Sequence, residues 1–182
     1  MAASPVTVLG LDPGSRRTGF GVVTAEGPRL VHVASGSFSP PSRDPFERRL
    51  HRIQSALACE IERFAPDAVA VEDLFHAVNV RSALRLAHVR GVLLAAVAAA
   101  GLTVVSYAPR EVKKTVAGTG AASKGQVAWM VSRLLGQAAP LADADAADAL
   151  AVAICHTHHL GPLSRGRHPG RAVLRPSPGS RE

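Results

Sequence analysis

The sequence predicts an α/β domain: a five-stranded mixed sheet flanked by helices on both faces. Three observations predict it. The first third of the chain holds three short apolar runs separated by turn residues, the pattern of an antiparallel meander. The remainder alternates helical spacing with two further apolar runs, the pattern of strands joined by helical crossovers. Finally, 182 residues at 47% apolar are enough to bury one substantial core. Aromatic residues make up only 4%, so that core must be built from Ala, Val and Leu.

The elements follow in order. Residues 6–11 form a first strand, which stops at Asp12-Pro-Gly-Ser15. Residues 18–24 form a second, in which Gly19 and Gly21 leave one side bare, as where another backbone or a ligand approaches closely. Residues 30–38 form a third, ended by Pro40-Pro41. Over residues 45–64, Phe46, Leu50, Ile53, Leu57 and Ile61 recur with helical spacing. A fourth strand, residues 68–71, stops at Glu72. A long helix over residues 80–100 ends at Gly101, which occupies the position of a C-terminal cap. Residues 102–107 form the fifth strand and 110–116 a short helix. Ser123 and Gln126 have the spacing of a capping box and start a helix over residues 124–135. Asp143 is the natural N-cap of a last helix that runs to about residue 158.

Four acids stand out against this frame. Asp12 and Glu72 end apolar strands, and Asp145 and Asp148 lie three residues apart, hence on one helix face. Taken singly, each has an ordinary reading. Asp-Pro-Gly is a common turn, Asp145 complements a helix N-terminus, and Glu72 could sit half-exposed at a strand end. Together they form a set of hard oxygen donors suited to divalent metal. Functional groups in such sheets gather beyond the carboxyl ends of the strands. Two metal ions ~3.5–4 Å apart can activate a water and stabilise the leaving oxygen of a phosphodiester. Asp143, two residues before Asp145, is expected on the opposite helix face.

The charge distribution points the same way. The net charge is +7, but residues 1–72 carry eight basic and eight acidic side chains and are neutral. Residues 73–142 hold eight basic against two acidic, a local excess of +6, whereas 143–160 hold three Asp and no Lys or Arg. A basic surface around an acidic centre suits a polyanion cut at a metal. A noncatalytic nucleic-acid-binding protein would need the basic segment but not the four acids.

Cys59 and Cys155 lie in helical apolar patterns and predict a reduced protein without structural disulfides. Cys155, His156, His158 and His159 match no zinc spacing and read as the end of a helix. The stretch from Gly118 to Lys124 is not a phosphate-binding P-loop, because Ser123 and Gly125 replace residues that motif requires. No basic-then-apolar signal opens the chain, and the longest uninterrupted apolar run, residues 92–100, falls far below the ~18 residues of a membrane span. The expectation is a soluble cytoplasmic protein with no membrane partner. Residues 1–160 are expected to form the nuclease domain. Residues 161–182, rich in Pro, Gly, Ser and Arg, are expected to be a disordered basic tail.

An ordered set of motifs resembles a known family. Asp12-Pro-Gly-Ser15 with Thr18-Gly-Phe-Gly21, Val71-Glu-Asp-Leu-Phe75, Val112-Lys-Lys-Thr115, Ser123-Lys-Gly-Gln126 and Asp145-Ala-Ala-Asp-Ala-Leu-Ala151 are together similar to RuvC. These are bacterial Holliday-junction resolvases, crossover-junction endodeoxyribonucleases of the RNase H-like superfamily. The resemblance spans about residues 5–160. It implies an RNase H-like fold and a homodimer that makes paired nicks in a four-way DNA junction, leaving 5′-phosphate and 3′-hydroxyl ends. It implies Asp12, Glu72, Asp145 and Asp148 as catalytic residues and metal ligands, with two Mg²⁺ ions per site or Mn²⁺ in their place. It further implies DNA contacts from Phe75, Lys113 and Lys124, and a RuvA–RuvB branch-migration complex as partner. The rival within the same fold is a nuclease acting on RNA–DNA hybrids or on ends.

Overall fold

The computed structural model describes residues 4–73 and 79–160. Its five strands lie in the order β3-β2-β1-β4-β5. They are β1 (Val6–Asp12), β2 (Thr18–Glu26), β3 (Arg29–Phe38), β4 (Ala68–Glu72) and β5 (Val104–Tyr107). The meander expected from the first third is present: β1 pairs antiparallel with β2, and β2 with β3. β4 and β5 then add parallel to β1 on its other side. The helices are α1 (Phe46–Phe64), α2 (Val80–Ala99), α3 (Pro109–Ala117), α4 (Lys124–Leu134) and α5 (Ala144–His159).

Strand side chains alternate between faces, and the two cores follow that alternation. Leu9, Leu11, Val69 and Val71 point to one face, where Ile53 and Leu57 of α1 and Leu93 and Val97 of α2 cover them. Val6, Val8 and Ala70 point to the other, beneath α5, with α3 and α4 packed outside. Helices thus cover both faces of a mixed sheet, as expected.

Helix ends explain where the chain departs from simple reading. The Ser123–Gln126 capping box is made in full. At the end of α2, Gly101 takes φ +73°, and the amides of Gly101 and Leu102 return to the carbonyls of Ala98 and Val97. This double closure uses up the Leu102 N–H, so β5 begins at Val104 rather than at residue 102. β1 and β4 each run one residue further than expected, taking Asp12 and Glu72 into the strands themselves.

By length and composition α2 could cross a membrane. Its Val89, Leu93 and Val97 are nevertheless buried in the core shared with α1 and the sheet, and Arg81, Arg85 and Arg90 interrupt its apolar character. Cys59 is exposed and Cys155 buried, and both are free thiols.

Candidate active site

The alternation that divides the cores also aims the first two acids. Asp12 and Glu72 are in step with Val8 and Ala70, so both face α5. The parallel register pairs Leu11 with Val71, which sets the two carboxylates side by side at the carboxyl ends of neighbouring strands. α5 then brings the third, and it comes close because the sheet beneath it lacks side chains. A Cβ on Gly10 would lie 2.2 Å from the Ala149 carbonyl, one on Gly19 2.0 Å from that of Asp145, and one on Gly21 2.7 Å from Leu150. The bare side of the second strand is thus the seat of a helix backbone.

Asp12, Glu72 and Asp148 share one electrostatic environment. Burial, followed by the charges of Glu72 and Asp148, pushes the Asp12 carboxyl up to about 8. Burial and Asp148 also raise Glu72, partly offset by a hydrogen bond with Asp12 and by Lys124 and Lys113. Burial and like charge thus favour the protonated form across this carboxyl pair. Lys124, the first residue of α4, places its Nζ 2.8 Å from Asp148 Oδ2. Both lysines singled out in the sequence thus act on the carboxylate cluster.

Asp145 behaves differently. Its Oδ2 lies 2.8 Å from Nε of Arg17, in the loop between β1 and β2. The same guanidinium reaches Asp143 at 2.8 Å through Nη2. The expectation that Asp143 faces away from Asp145 therefore fails. Asp143 is the N-cap, with extended backbone at φ −88° and ψ 108°, so helical angular spacing does not apply to it. Its Oδ1 accepts the amides of Asp145 and Ala146. Burial opposes its charge, but the Ser37 hydroxyl, the Ala146 amide and Arg17 together hold its carboxyl below the usual range.

Among the described residues, no three Asp, Glu, His or Cys side chains close into a metal-ligating set. The donors nevertheless fit a hard divalent cation. All are carboxylate oxygens, burial and mutual repulsion penalise their ionised forms in the absence of a compensating cation, and an ammonium already lies against one of them.

Phe75 falls outside the described residues. Arg85 and His88, which continue the basic spacing of Arg81 on α2, pack around the ring of Phe46. At the end of α5, His156 Nδ1 meets the buried Tyr107 hydroxyl at 2.8 Å and His159 pairs with Glu111, an arrangement that ties the helix to β5 and α3. An open cleft of about 690 Å³ between the end of β3 and α1 includes none of the four carboxylates. Sequence reasoning missed Arg17, although the doubled Arg16-Arg17 directly after Asp-Pro-Gly-Ser was its available signal.

Known proteins share both the sequence and the fold. The family model described as crossover junction endodeoxyribonuclease RuvC matches residues 8–156. The RuvC of Azorhizobium caulinodans is 48% identical over 92% of this chain and 98% of its own, and that of Acidiphilium cryptum is 50% identical over 87% and 94%. The solved structure of Thermus thermophilus RuvC in complex with a Holliday junction substrate superposes with a TM-score of 0.82 at 32% identity, covering 87% of this chain and 97% of that one. With a family model spanning most of its length and relatives near half identity, this chain belongs to the RuvC family of crossover junction endodeoxyribonucleases.

Proposed function

We propose that this protein resolves Holliday junctions in DNA recombination and repair, as a homodimer making paired symmetric nicks by metal-assisted hydrolysis. Family membership implies a divalent-metal nuclease, and we assign the metal as two Mg²⁺ ions held by Asp12, Glu72, Asp145 and Asp148, with Mn²⁺ able to replace them. Ions bound there would supply an activated water and stabilisation of the leaving oxygen, consistent with 5′-phosphate and 3′-hydroxyl ends. One observation carries the reading: Asp12, Glu72 and Asp148 arrive from three separate elements, and the charge of Asp148 helps raise both Asp12 and Glu72.

The chain's own groups divide the remaining work. Lys124 and Lys113 offset the acids' charge and stand where a phosphodiester must approach, so they bind DNA backbone. Phe75, just beyond β4, stacks on a base near the cut. The dimer uses the face of α2 that the core leaves uncovered, where Val80 and Leu84 are 77% and 56% exposed. Its two-fold symmetry matches that of the junction. The protein works in the cytoplasm beside a RuvA–RuvB branch-migration complex.

The test is to incubate the purified protein with a synthetic four-way junction and with linear duplex, with and without Mg²⁺, and to map the cuts. The expected result is symmetric, ligatable nicks in two strands of like polarity, on the junction only and with metal only. Equal cutting of linear duplex would overturn the junction assignment.

A further inference from the structure

We infer that Arg17 is a positioning residue that holds Asp145 out of the metal-binding set until a cation competes for it. The inference rests on the proposed role of Asp145 as a ligand. Its basis is how unequally the two ends of this clasp are secured.

Asp143 is a fixed post. Its Oδ1 caps α5 by accepting the Asp145 and Ala146 amides at 3.1 and 3.4 Å, and its Oδ2 accepts Ser37 Oγ at 2.9 Å and Arg17 Nη2 at 2.8 Å. The same Nη2 also donates to Ser37 Oγ at 2.6 Å. Arg17 therefore keeps two partners, at the N-cap of α5 and on β3, whatever Asp145 does. Asp145 is bound to it only through Nε, at 2.8 Å, and its side chain is 37% exposed. Opening that one contact strands no buried charge.

Asp145 also has somewhere else to go. Three residues before Asp148, it shares a helix face with it, so a change of side-chain rotamer turns it toward the Asp12–Glu72–Asp148 cluster. With no added cation, that cluster of like charges repels a fourth carboxylate. Guanidinium is then the better partner. A divalent ion among the first three acids reverses the preference, and Arg17 and the ion compete for one carboxylate. The planar fork of Arg suits this task because it can stay on Asp143 and Ser37 through one nitrogen while Nε releases.

Mn²⁺ titration, read as the loss of the free-ion paramagnetic resonance signal, tests this on the apoprotein without reference to nicking. Five proteins are compared: wild type, Arg17→Gln, Arg17→Lys, Asp145→Asn and the Arg17→Gln/Asp145→Asn double variant. Arg17→Gln should tighten Mn²⁺ by about two- to fivefold, the range of a solvent-exposed ion pair. Asp145→Asn should cancel that gain in the double variant. Arg17→Lys, which keeps the charge but cannot span both carboxylates, should fall between Arg17→Gln and wild type. Thermal melts of each protein identify the folded fraction to which the titrations are normalised.

Unchanged or weaker Mn²⁺ binding in Arg17→Gln, with Asp145→Asn still weakening it, would overturn the clasp while leaving Asp145 a ligand. A gain in Arg17→Gln that survives in the double variant would overturn it too, because the gain would not pass through Asp145. No effect of Asp145→Asn in either background would instead remove Asp145 from the ligand set, and the clasp with it.

Discussion

The two faces of the sheet are built on opposite principles. The face under α1 and α2 is filled by large aliphatic side chains, with Leu9, Leu11, Ile53, Leu57 and Leu93 interlocked and almost wholly buried. The face under α5 is cleared of side chains at Gly10, Gly19 and Gly21, so that the helix backbone rests on the strands. The first arrangement gains apolar burial. The second gives up part of that burial for distance, because carboxylates on a helix reach those at strand ends only if the helix sits low. The carboxylates lie on the close-packed side, so one face serves chiefly stability and the other position.

The sharpest way to break that contrast is chemical. Asp12→Asn keeps the shape of the α5 face and removes one proposed ligand, so nicking of a four-way junction should fall by ~10³-fold or more, the scale of several kcal/mol of lost charge stabilisation. Junction affinity in gel shift should persist, since the charge removed is negative. Loss of binding along with cutting would show that the residue holds the fold rather than the reaction.

A pair of core changes separates position from stability. Gly19→Ala puts a methyl where only 2.0 Å separates it from the Asp145 carbonyl oxygen. It should cost at least ~1–3 kcal/mol as an overpacked site, and it should reduce nicking tenfold or more beyond the unfolded fraction. Leu57→Ala on the opposite face should cost ~2–5 kcal/mol yet leave nicking per folded molecule unchanged. Urea titrations paired with nicking assays supply both numbers. Normal cutting by folded Gly19→Ala would mean that helix height does not set the carboxylates.

Much of this contrast is legible in sequence, and the part that is not has a definite cause. Asp12 and Glu72 are visible because each interrupts a run that burial otherwise explains, and strand alternation converts their positions into a shared direction. Gly19 and Gly21 announce a close approach without naming what approaches. The pairing of Asp145 with Arg17 is hidden, because a long side chain from a loop reaches a helix that periodicity treats in isolation. Asp143 misleads for a related reason: the angular rule holds inside a helix, and the residue stands one place outside it. The start of β5 depends on a cap amide three residues beyond α2, a detail of backbone closure that composition does not encode.

The α5 face should also carry a pH signature that the other face lacks. Asp12 releases its proton near 3.8 when unfolded and at about 8 when folded. Between those values the folded state binds more protons, so its stability falls as pH rises through the window and levels above it. Without metal, the melting temperature should drop by a few degrees between pH 5 and 8, and Mg²⁺ should recover part of the loss at pH 8 by favouring the ionised carboxylates. Asp12→Asn should remove most of the slope. The same slope in that variant would place its origin elsewhere.

The smallest effect concerns how far the positioned face extends. Lys113 sits on α3, outside α5, and lowers the protonation of Glu72 across the gap, so it belongs electrostatically to the carboxylate side although it contributes nothing to the core. The DNA contact proposed for this lysine is to a phosphate, where neutralising one charge releases about 0.9 of a counterion. Lys113→Ala should therefore weaken junction binding severalfold at low salt and reduce the slope of log affinity against log salt by ~0.9, leaving thermal stability unchanged. Arg63, exposed on α1 at the opposite face, is the matched control, and Arg63→Ala should leave that slope alone. Equal slopes for wild type and Lys113→Ala would confine the DNA surface to the carboxylates' immediate surroundings. A loss shared by both variants would instead assign binding to the protein's overall positive charge and not to one face.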